Sequence, residues 1–400
     1  MKGKNWRRIF CVSMALMLLV TAGCSKTGTN GVSSNQSEEG TGNRNDNEVN
    51  NVAENKTENE NGENNESPDS DEKKGDVWGG GEYSDVIFDR EVVDGEFAIY
   101  FLRTDVSYKS NSWSSTDKGG DSAILIAPDG TTMLYDCSTV GAASYIAYAL
   151  EELGIKKIDY FVLSHPHLDH IGAFSTVARN FEIGHIYMPP SIEVYDNVTD
   201  QGGYMAAFMR TLTLYDIPYT YVSEGDSFEF SKDIQVKVYN PPADMDFAEY
   251  NYNEWSLVLK FTYKNSSLML AGDIGNNEVK NKQATESMLI SKYGSELQAD
   301  VAKMNHHGDG NVGGNTKAGS REWLNTVNAK IYVGMRAIVT DEKGWFTYVS
   351  TGAECFHSAL DGTVLVYTGG DGKYDVQYEE ERATDYYGTH EAKNGHMTVK

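Results

Sequence analysis

Hydrophobic and polar positions divide the chain into three stretches. Residues 9–20 form a continuous apolar run behind a basic segment, 2–8. Residues 25–81 are mostly Asn, Glu, Ser and Gly, with almost no large apolar side chain. From about Val86 the apolar residues return in short runs, some continuous or alternating as strands require, others spaced along one helix face. This pattern predicts strands over 97–102, 123–126, 132–135, 158–163 and 183–188, with helices over 144–153 and 174–180. Pro128-Asp129-Gly130 supplies the turn between the second and third strands. The run at 158–163 is apolar nearly throughout, as in a strand covered on both faces. The second half repeats the alternation. It predicts a hairpin over 227–239, strands over 256–263, 267–271, 301–304, 331–333, 363–367 and 374–378, and helices over 278–293 and 321–327. Antiparallel pairs in both halves with helices between them imply an α/β architecture of two packed sheets carrying helices outside.

The run at 9–20 is shorter than the roughly 20 residues that span a bilayer, and it has the length and basic flank of an export signal. Thr21-Ala22-Gly23-Cys24 follows and resembles a bacterial lipoprotein signal, which implies lipidation of Cys24. Thr21 departs from the aliphatic residue usual there, so an ordinary cleaved signal is the alternative. Both imply export, the first with a lipid anchor on the outer face of the cell membrane. The polar tract cannot bury enough surface to offset the entropy of ordering, and is expected to be a disordered tether. The expected organisation is a signal at 1–23, a linker at 24–82, a folded domain at 83–380 and a polar tail at 381–400.

Charge narrows the classes further. The net charge is −25, with +4 in residues 1–23 and −8 in 25–76, which leaves −21 on 77–400. A body this acidic lacks the basic footprint of a general nucleic-acid binder. Four cysteines in 400 residues cannot make a disulfide scaffold. Cys11 falls in the signal and Cys24 at its end, leaving Cys137 and Cys355, 218 positions apart, with no reason to pair.

Five of the nine histidines fall in two clusters, each directly after a predicted buried strand. The first is Ser164-His165-Pro166-His167-Leu168-Asp169-His170, where three imidazoles and a carboxylate on a tight loop can converge on one or two cations. Imidazole and carboxylate donors suit Zn²⁺, Mn²⁺ or Fe²⁺. The second is Asn305-His306-His307-Gly308, and spacing does not say which histidine faces the first cluster. Between them, the strand at 267–271 ends in Gly272-Asp273, making Asp273 a candidate carboxylate bridge. Asp136, at the end of the strand over 132–135, has the form of a partner that orients a histidine ligand.

Order and spacing of these motifs resemble the metallo-β-lactamase superfamily, and within it ComEC-like competence-protein hydrolase domains and phosphorylcholine esterases. The similarity runs from about Phe97 to Tyr378. It rests on Asp105-Val106 and Gly120-Asp121-Ser122-Ala123, on the Asp136 strand end, and on Ser164 to Ala173. Further matches are Asn253-Glu254-Trp255-Ser256, Gly272-Asp273, and Ala299 through His306-His307-Gly308. The resemblance implies a four-layer αββα sandwich and one or two divalent ions, Zn or Mn. His165, His167 and one of His306 and His307 would hold the first ion; Asp169, His170 and a bridging Asp273 would hold the second, with Asp136 and Asn253 behind them. There are three departures. Ser138 stands where the family carries Gly, and Asp309 where it carries Ser. The stretch 334–345 lacks the family's later histidine, which leaves Asp341 or His357 as a replacement.

The activity implied is metal-assisted hydrolysis, with Asp169 and Asp273 at the reacting centre and a water made acidic by the metal as nucleophile. Activity is expected to fall below about pH 6, where imidazoles protonate. A small or surface-polymer phosphodiester is the expected substrate. The acid charge disfavours DNA, although a nuclease remains the alternative. Trp113, Tyr195, Trp255, Trp323 and Trp345 add a lean toward a cationic head group such as choline. A binding protein with a degenerate metal site is the reading from another class.

Overall fold

The computed structural model describes residues 86–90, 93–104, 119–190, 203–245, 251–276, 284–308, 318–336, 339, 342–379, 390–393 and 396–399. The signal, Cys24, the linker, Asp105, Trp113, Tyr195, Asp309 and Asp341 lie outside them.

Two mixed sheets form the body. The first, of eight strands, is built on β1 (Phe97–Phe101), β2 (Ala123–Ile126), β3 (Thr132–Tyr135), β4 (Lys157–Val162), β5 (Glu182–Met188) and β6 (Tyr219–Tyr221). The second, of seven, contains β7 (Ser227–Ser231), β8 (Ile234–Asn240), β9 (Val258–Tyr263), β10 (Ser266–Leu270), β11 (Val301–Lys303), β12 (Ile331–Gly334) and β13 (Glu354–His357). The chain then returns to the first sheet through β14 (Val364–Thr368) and β15 (Asp375–Tyr378), giving the order β15-β14-β1-β2-β3-β4-β5-β6. The other sheet runs β13-β12-β11-β10-β9-β8-β7. Each sheet is antiparallel in one half. The parallel halves are β3-β4-β5-β6 and β10-β11-β12-β13.

Period-two alternation assigns side chains to layers. On β1, Phe97, Ile99 and Phe101 enter the core between the sheets, while Ala98 and Tyr100 face the helices. On β12, Ile331 and Val333 point inward and Tyr332 outward. The outer face of the first sheet is covered by α1 (Ala143–Glu152), α3 (Phe174–Asn180) and α4 (Tyr204–Leu214), with Phe161, Phe174 and Phe208 in ring contact. The second sheet carries α5 (Thr285–Tyr293), α6 (Arg321–Val327) and α7 (Glu342–Val349) over Leu289, Trp323, Trp345 and Tyr348. Three apolar layers separate four layers of backbone, so the fold is the αββα sandwich.

Three sequence expectations need correction. The strand over 158–163 begins at Lys157, and Asp159 and Tyr160 are only half-buried, so it is not fully covered on both faces. Trp255, Trp323 and Trp345 are 3%, 2% and 1% exposed, so they fill core rather than offer an aromatic face to a cationic ligand. Residues 381–400, read as a plain tail, contain a hairpin of β16 (His390–Lys393) and β17 (His396–Val399). Cys137 and Cys355 are buried and free, in different apolar layers.

Candidate metal centre

The parallel strands point their carboxyl ends the same way, and the chemistry-bearing residues follow those ends. After β3 comes Asp136. After β4 the chain passes through Ser164, His165 and His167 into one helical turn, α2 (Leu168–Ile171), carrying Asp169 and His170. Asp273 follows β10, and His306 and His307 follow β11.

Backbone strain tightens these junctions. Asp136, Ser138, His306 and His307 hold φ of 53°, 43°, 46° and 59°, in the left-handed region that costs a side-chain-bearing residue energy. Ser138 carries that cost at a position where the resemblance implies glycine. At 306–307 two successive left-handed residues defeat the usual divergence of neighbouring side chains, and both rings approach Asp273. Two glycines let segments close in. A Cβ on Gly120 would lie 1.9 Å from the Asp169 carbonyl oxygen, and one on Gly272, at φ +54°, 2.6 Å from Ser256.

Asp273 is the hub. Its Oδ2 lies 3.1 Å from Nε2 of His170 and of His307, 3.7 Å from that of His306 and 3.9 Å from that of His165. His165 Nε2 is in turn 3.0 Å from His167 Nδ1. Asp169 completes the group, with Oδ2 3.3 Å from His307 Nε2 and Oδ1 3.9 Å from His170 Nε2. The seven residues singled out from the sequence therefore meet at one place.

The far nitrogens of the rings are fixed from behind. Asp136 Oδ2 is 2.8 Å from His170 Nδ1, and its carboxylate also accepts from Ser164 N and Oγ, both at 2.7 Å. The Asn253 side chain lies near His167 and favours its protonated form, against the burial that lowers it. Asp121 Oδ1 lies 2.8 Å from His307 Nδ1.

Asp121 and Lys303 are functional neighbours that the residue pattern did not single out. Asp121 precedes β2 inside a motif quoted only for its resemblance, and nothing in its spacing ties it to His307, 186 positions away. Lys303 falls inside the apolar strand expected at 301–304 and closes the observed β11. Its ammonium is fully buried, 2.6 Å from Asp121 Oδ2, 2.7 Å from the Gly272 carbonyl, 3.0 Å from the Met304 carbonyl and 3.5 Å from Asp273 Oδ1. Arg336, just past β12, brings Nη2 to 3.4 Å from Asp169 Oδ2. His357 takes no part in the cluster. Its Nε2 meets the His307 carbonyl oxygen at 3.1 Å, and its Nδ1 accepts from Ala359 N. His185 sits on β5 against Thr220.

Electrostatics split the imidazoles into two groups. Burial holds His165 and His167 below the ordinary histidine value, and His306 down to about 3, so these rings are neutral. Burial also opposes the charge on His170, but Asp273 and Asp136 outweigh it and lift the ring to about 10. His307 is raised in the same way by Asp273 and Asp121. Asp273 and Asp169 are carboxylates held well below their usual range, because neighbouring cations and hydrogen bonds overcome burial.

The donor set fits a divalent cation. One donor atom each from Asp121, His170, Asp273 and His307 lies within 4.8 Å of the others, all buried. The Asp121 carboxylate is already spent on His307 and Lys303, which leaves it as their support. His307 Nε2 is buried and without a hydrogen-bond partner although it faces Asp273 and Asp169. An unpartnered imidazole nitrogen among carboxylate oxygens fits a group that would share a cation with them.

Residues 116–280 match the Metallo-beta-lactamase superfamily. That stretch resembles a metallo-β-lactamase domain. Similar curated proteins are Competence protein ComA of Neisseria gonorrhoeae, 27% identical over 220 residues, and ComE operon protein 3 of Bacillus subtilis (strain 168), 27% identical over 155. These alignments cover 53% and 39% of this chain but only 27% and 18% of the relatives, so the chain spans a minor part of either protein. Among solved structures, the metallo-β-lactamase fold protein YhfI from Bacillus subtilis aligns with 68% of this chain and 99% of its own, at 11% identity and TM-score 0.43. Three of the four residues of the buried Asp/His cluster, Asp121, His170 and Asp273, fall inside the matched stretch.

Proposed function

We propose that this domain is a two-metal phosphodiesterase acting on a small or surface-polymer phosphodiester, exported and held at the membrane through a lipid on Cys24. The observation that carries the hydrolase chemistry is the Asp273 Oδ2 hub, ringed by four imidazole nitrogens at 3.1–3.9 Å. His165 pairs with His167 at 3.0 Å, while Asp169 lies 3.3 Å from His307 and 3.9 Å from His170, which groups His307 with Asp169 and His170 instead of with His165 and His167 as expected from the resemblance. These two sets would hold two ions, with Asp273 shared between them. Bound ions would supply Lewis acidity and a water acidic enough to attack near neutral pH.

The protein's own groups do the rest. Asp136 and Asp121 fix ring orientation, and Lys303 pins Asp121 and Asp273 so that the shell exists before the substrate arrives. His306, 13% exposed and neutral, is placed at the mouth to hydrogen-bond substrate. Charge supports a phosphodiester. Four carboxylates (Asp121, Asp136, Asp169, Asp273) face the two fixed cations Lys303 and Arg336, so once His170 and His307 give up their protons to metal binding the shell is two charges negative. Two divalent ions reverse that excess, and one diester anion with the attacking hydroxide cancels it.

A nuclease is the second reading, favoured by the competence relatives and opposed by the −21 on residues 77–400. The test is metal content and hydrolysis by the purified full chain, using bis-(p-nitrophenyl) phosphate, p-nitrophenyl phosphorylcholine and single-stranded DNA. Two metal equivalents with turnover of a small diester are expected. Turnover of DNA alone establishes the nuclease instead, and no metal with no turnover leaves a binding protein.

A further inference from the structure

The turn that carries His306 and His307 has to be held from outside. Two successive left-handed residues, at φ 46° and 59°, cost about 1–3 kcal/mol each and persist only where their surroundings overdetermine them. On the far side the His307 carbonyl oxygen accepts from His357 Nε2 at 3.1 Å. On the near side the grip falls on buried Asn305. Its backbone N–H donates to the Tyr348 hydroxyl at 2.9 Å, and its Nδ2 donates to Glu286 Oε1 at 2.8 Å. Glu286 is the second residue of α5 and fully buried. Its carboxylate also accepts from Gly319 N at 2.7 Å and from Ser320 N at 2.9 Å, the residues that lead into α6. Its own backbone N–H donates at 3.1 Å to the carbonyl of Gly275, two positions after Asp273. One buried carboxylate therefore ties the segment of Asp273 to the turn of His306 and His307 and to the start of α6.

We propose that Glu286 is a positioning residue of the metal centre. By fixing Asn305 it sets the His306–His307 turn against Asp273, so that the two rings stand 3.7 and 3.1 Å from Asp273 Oδ2 before an ion arrives. This rests on the metal-centre reading and not on the choice of substrate. Glutamine does not replace the carboxylate. Whichever way its amide is turned, its NH₂ faces an N–H donor, from Asn305 and Gly319 at one position or from Ser320 at the other. The competing role is that of a buried acid which stabilises α5 and α6 without acting on the histidines. Global stability does not separate the two, because Glu286→Gln also relieves the repulsion between Glu286 and Glu254.

Glu286→Gln and Asn305→Ala in the full chain do so. The second cuts only the arm that reaches the turn and leaves Gly319 and Ser320 bonded to Glu286, so it carries the test alone if Glu286→Gln does not fold. Hydrogen exchange of the Asn305 and His306 amides is read in metal-free protein. Co²⁺ affinity is read by competition with a chelator, together with the visible absorption of the bound ion. Both variants are expected to exchange at these amides about 10- to 100-fold faster, the worth of a lost hydrogen bond to a charged group, while β3 and β4 keep wild-type rates. Co²⁺ should bind about 10- to 100-fold more weakly and with a changed spectrum, as when the support of a ligating histidine is removed. Exchange that is unchanged at Asn305 and His306, or raised equally across the fold, overturns the proposal. If the wild type takes up no Co²⁺ while the turn alone loosens in the variants, the positioning stands and the metal-centre reading falls. Co²⁺ bound alike by wild type and both variants does the reverse.

Discussion

Glu254 allows a quantitative test of how the centre is supported. It lies in a 3₁₀ turn (Tyr252–Trp255) between Asn253, which lies near His167, and Trp255 of the core. It is 1% exposed. Burial, with nearby Glu286 adding to it, raises its carboxyl from 4.5 to about 7. A raised acid is protonated in the folded protein over a range where the unfolded chain ionises. No penalty exists below about pH 4.5, where both states are protonated. It grows as pH rises toward about 7 and is constant above, where both are ionised. The full penalty for this shift is about 3 kcal/mol at roughly 1.4 kcal/mol per pH unit. Glu254→Gln, nearly the same shape and never charged, removes it. Urea denaturation of wild type and variant should show a stability gain of up to about 3 kcal/mol at pH 8 and almost none at pH 4.5. An equal gain at both pH values would show that the effect is not ionisation. A loss at pH 8 would show that the carboxylate is satisfied where it lies, and the reasoning would fail.

Other perturbations probe the shell directly. Asp136→Asn keeps a residue that tolerates the left-handed backbone but weakens the bond to His170 Nδ1, and metal affinity measured by competition with a chelator should fall about 10- to 100-fold. Lys303→Met leaves Asp121 and Asp273 without their buried counter-charge and should cost about 3–5 kcal/mol of stability in urea, with part of the loss recovered by adding Asp121→Asn. His170 and His307 are held protonated by carboxylates in the metal-free protein, so metal uptake at pH 7 must expel about two protons. Calorimetry in two buffers of different ionisation enthalpy counts them. A count of zero would mean these rings do not ligate.

How much of this was legible in the sequence depended on whether the signal was local. Strands such as Ala123–Ile126 and Thr132–Tyr135 and helices such as Phe174–Asn180 and Arg321–Val327 show their exact bounds because period and turn residues lie within one window. β13 (Glu354–His357) was invisible, since four residues including a glutamate and a histidine carry no period. The helical turn Leu168–Ile171 was hidden inside a motif that reads first as loop. The centre divides in the same way. Clustered histidines announce themselves, and Asp136 and Asp273 stand out as carboxylates at strand ends. Lys303 does not, because a lysine closing an apolar strand ordinarily sends its ammonium to solvent. Here it cannot reach water. Val301 points into the core between the sheets and Ala302 into the helix layer, so alternation turns Lys303 inward, where two carboxylates on other segments receive it. That arrangement exists only after the sheets have packed. The same holds for Arg336, which meets Asp169, 167 positions earlier on α2 after β4 of the other sheet. Cations that complete a site made of carboxylates are thus the part least readable from sequence. Their role follows from which charges the fold leaves uncompensated, and no single stretch of the chain carries that information.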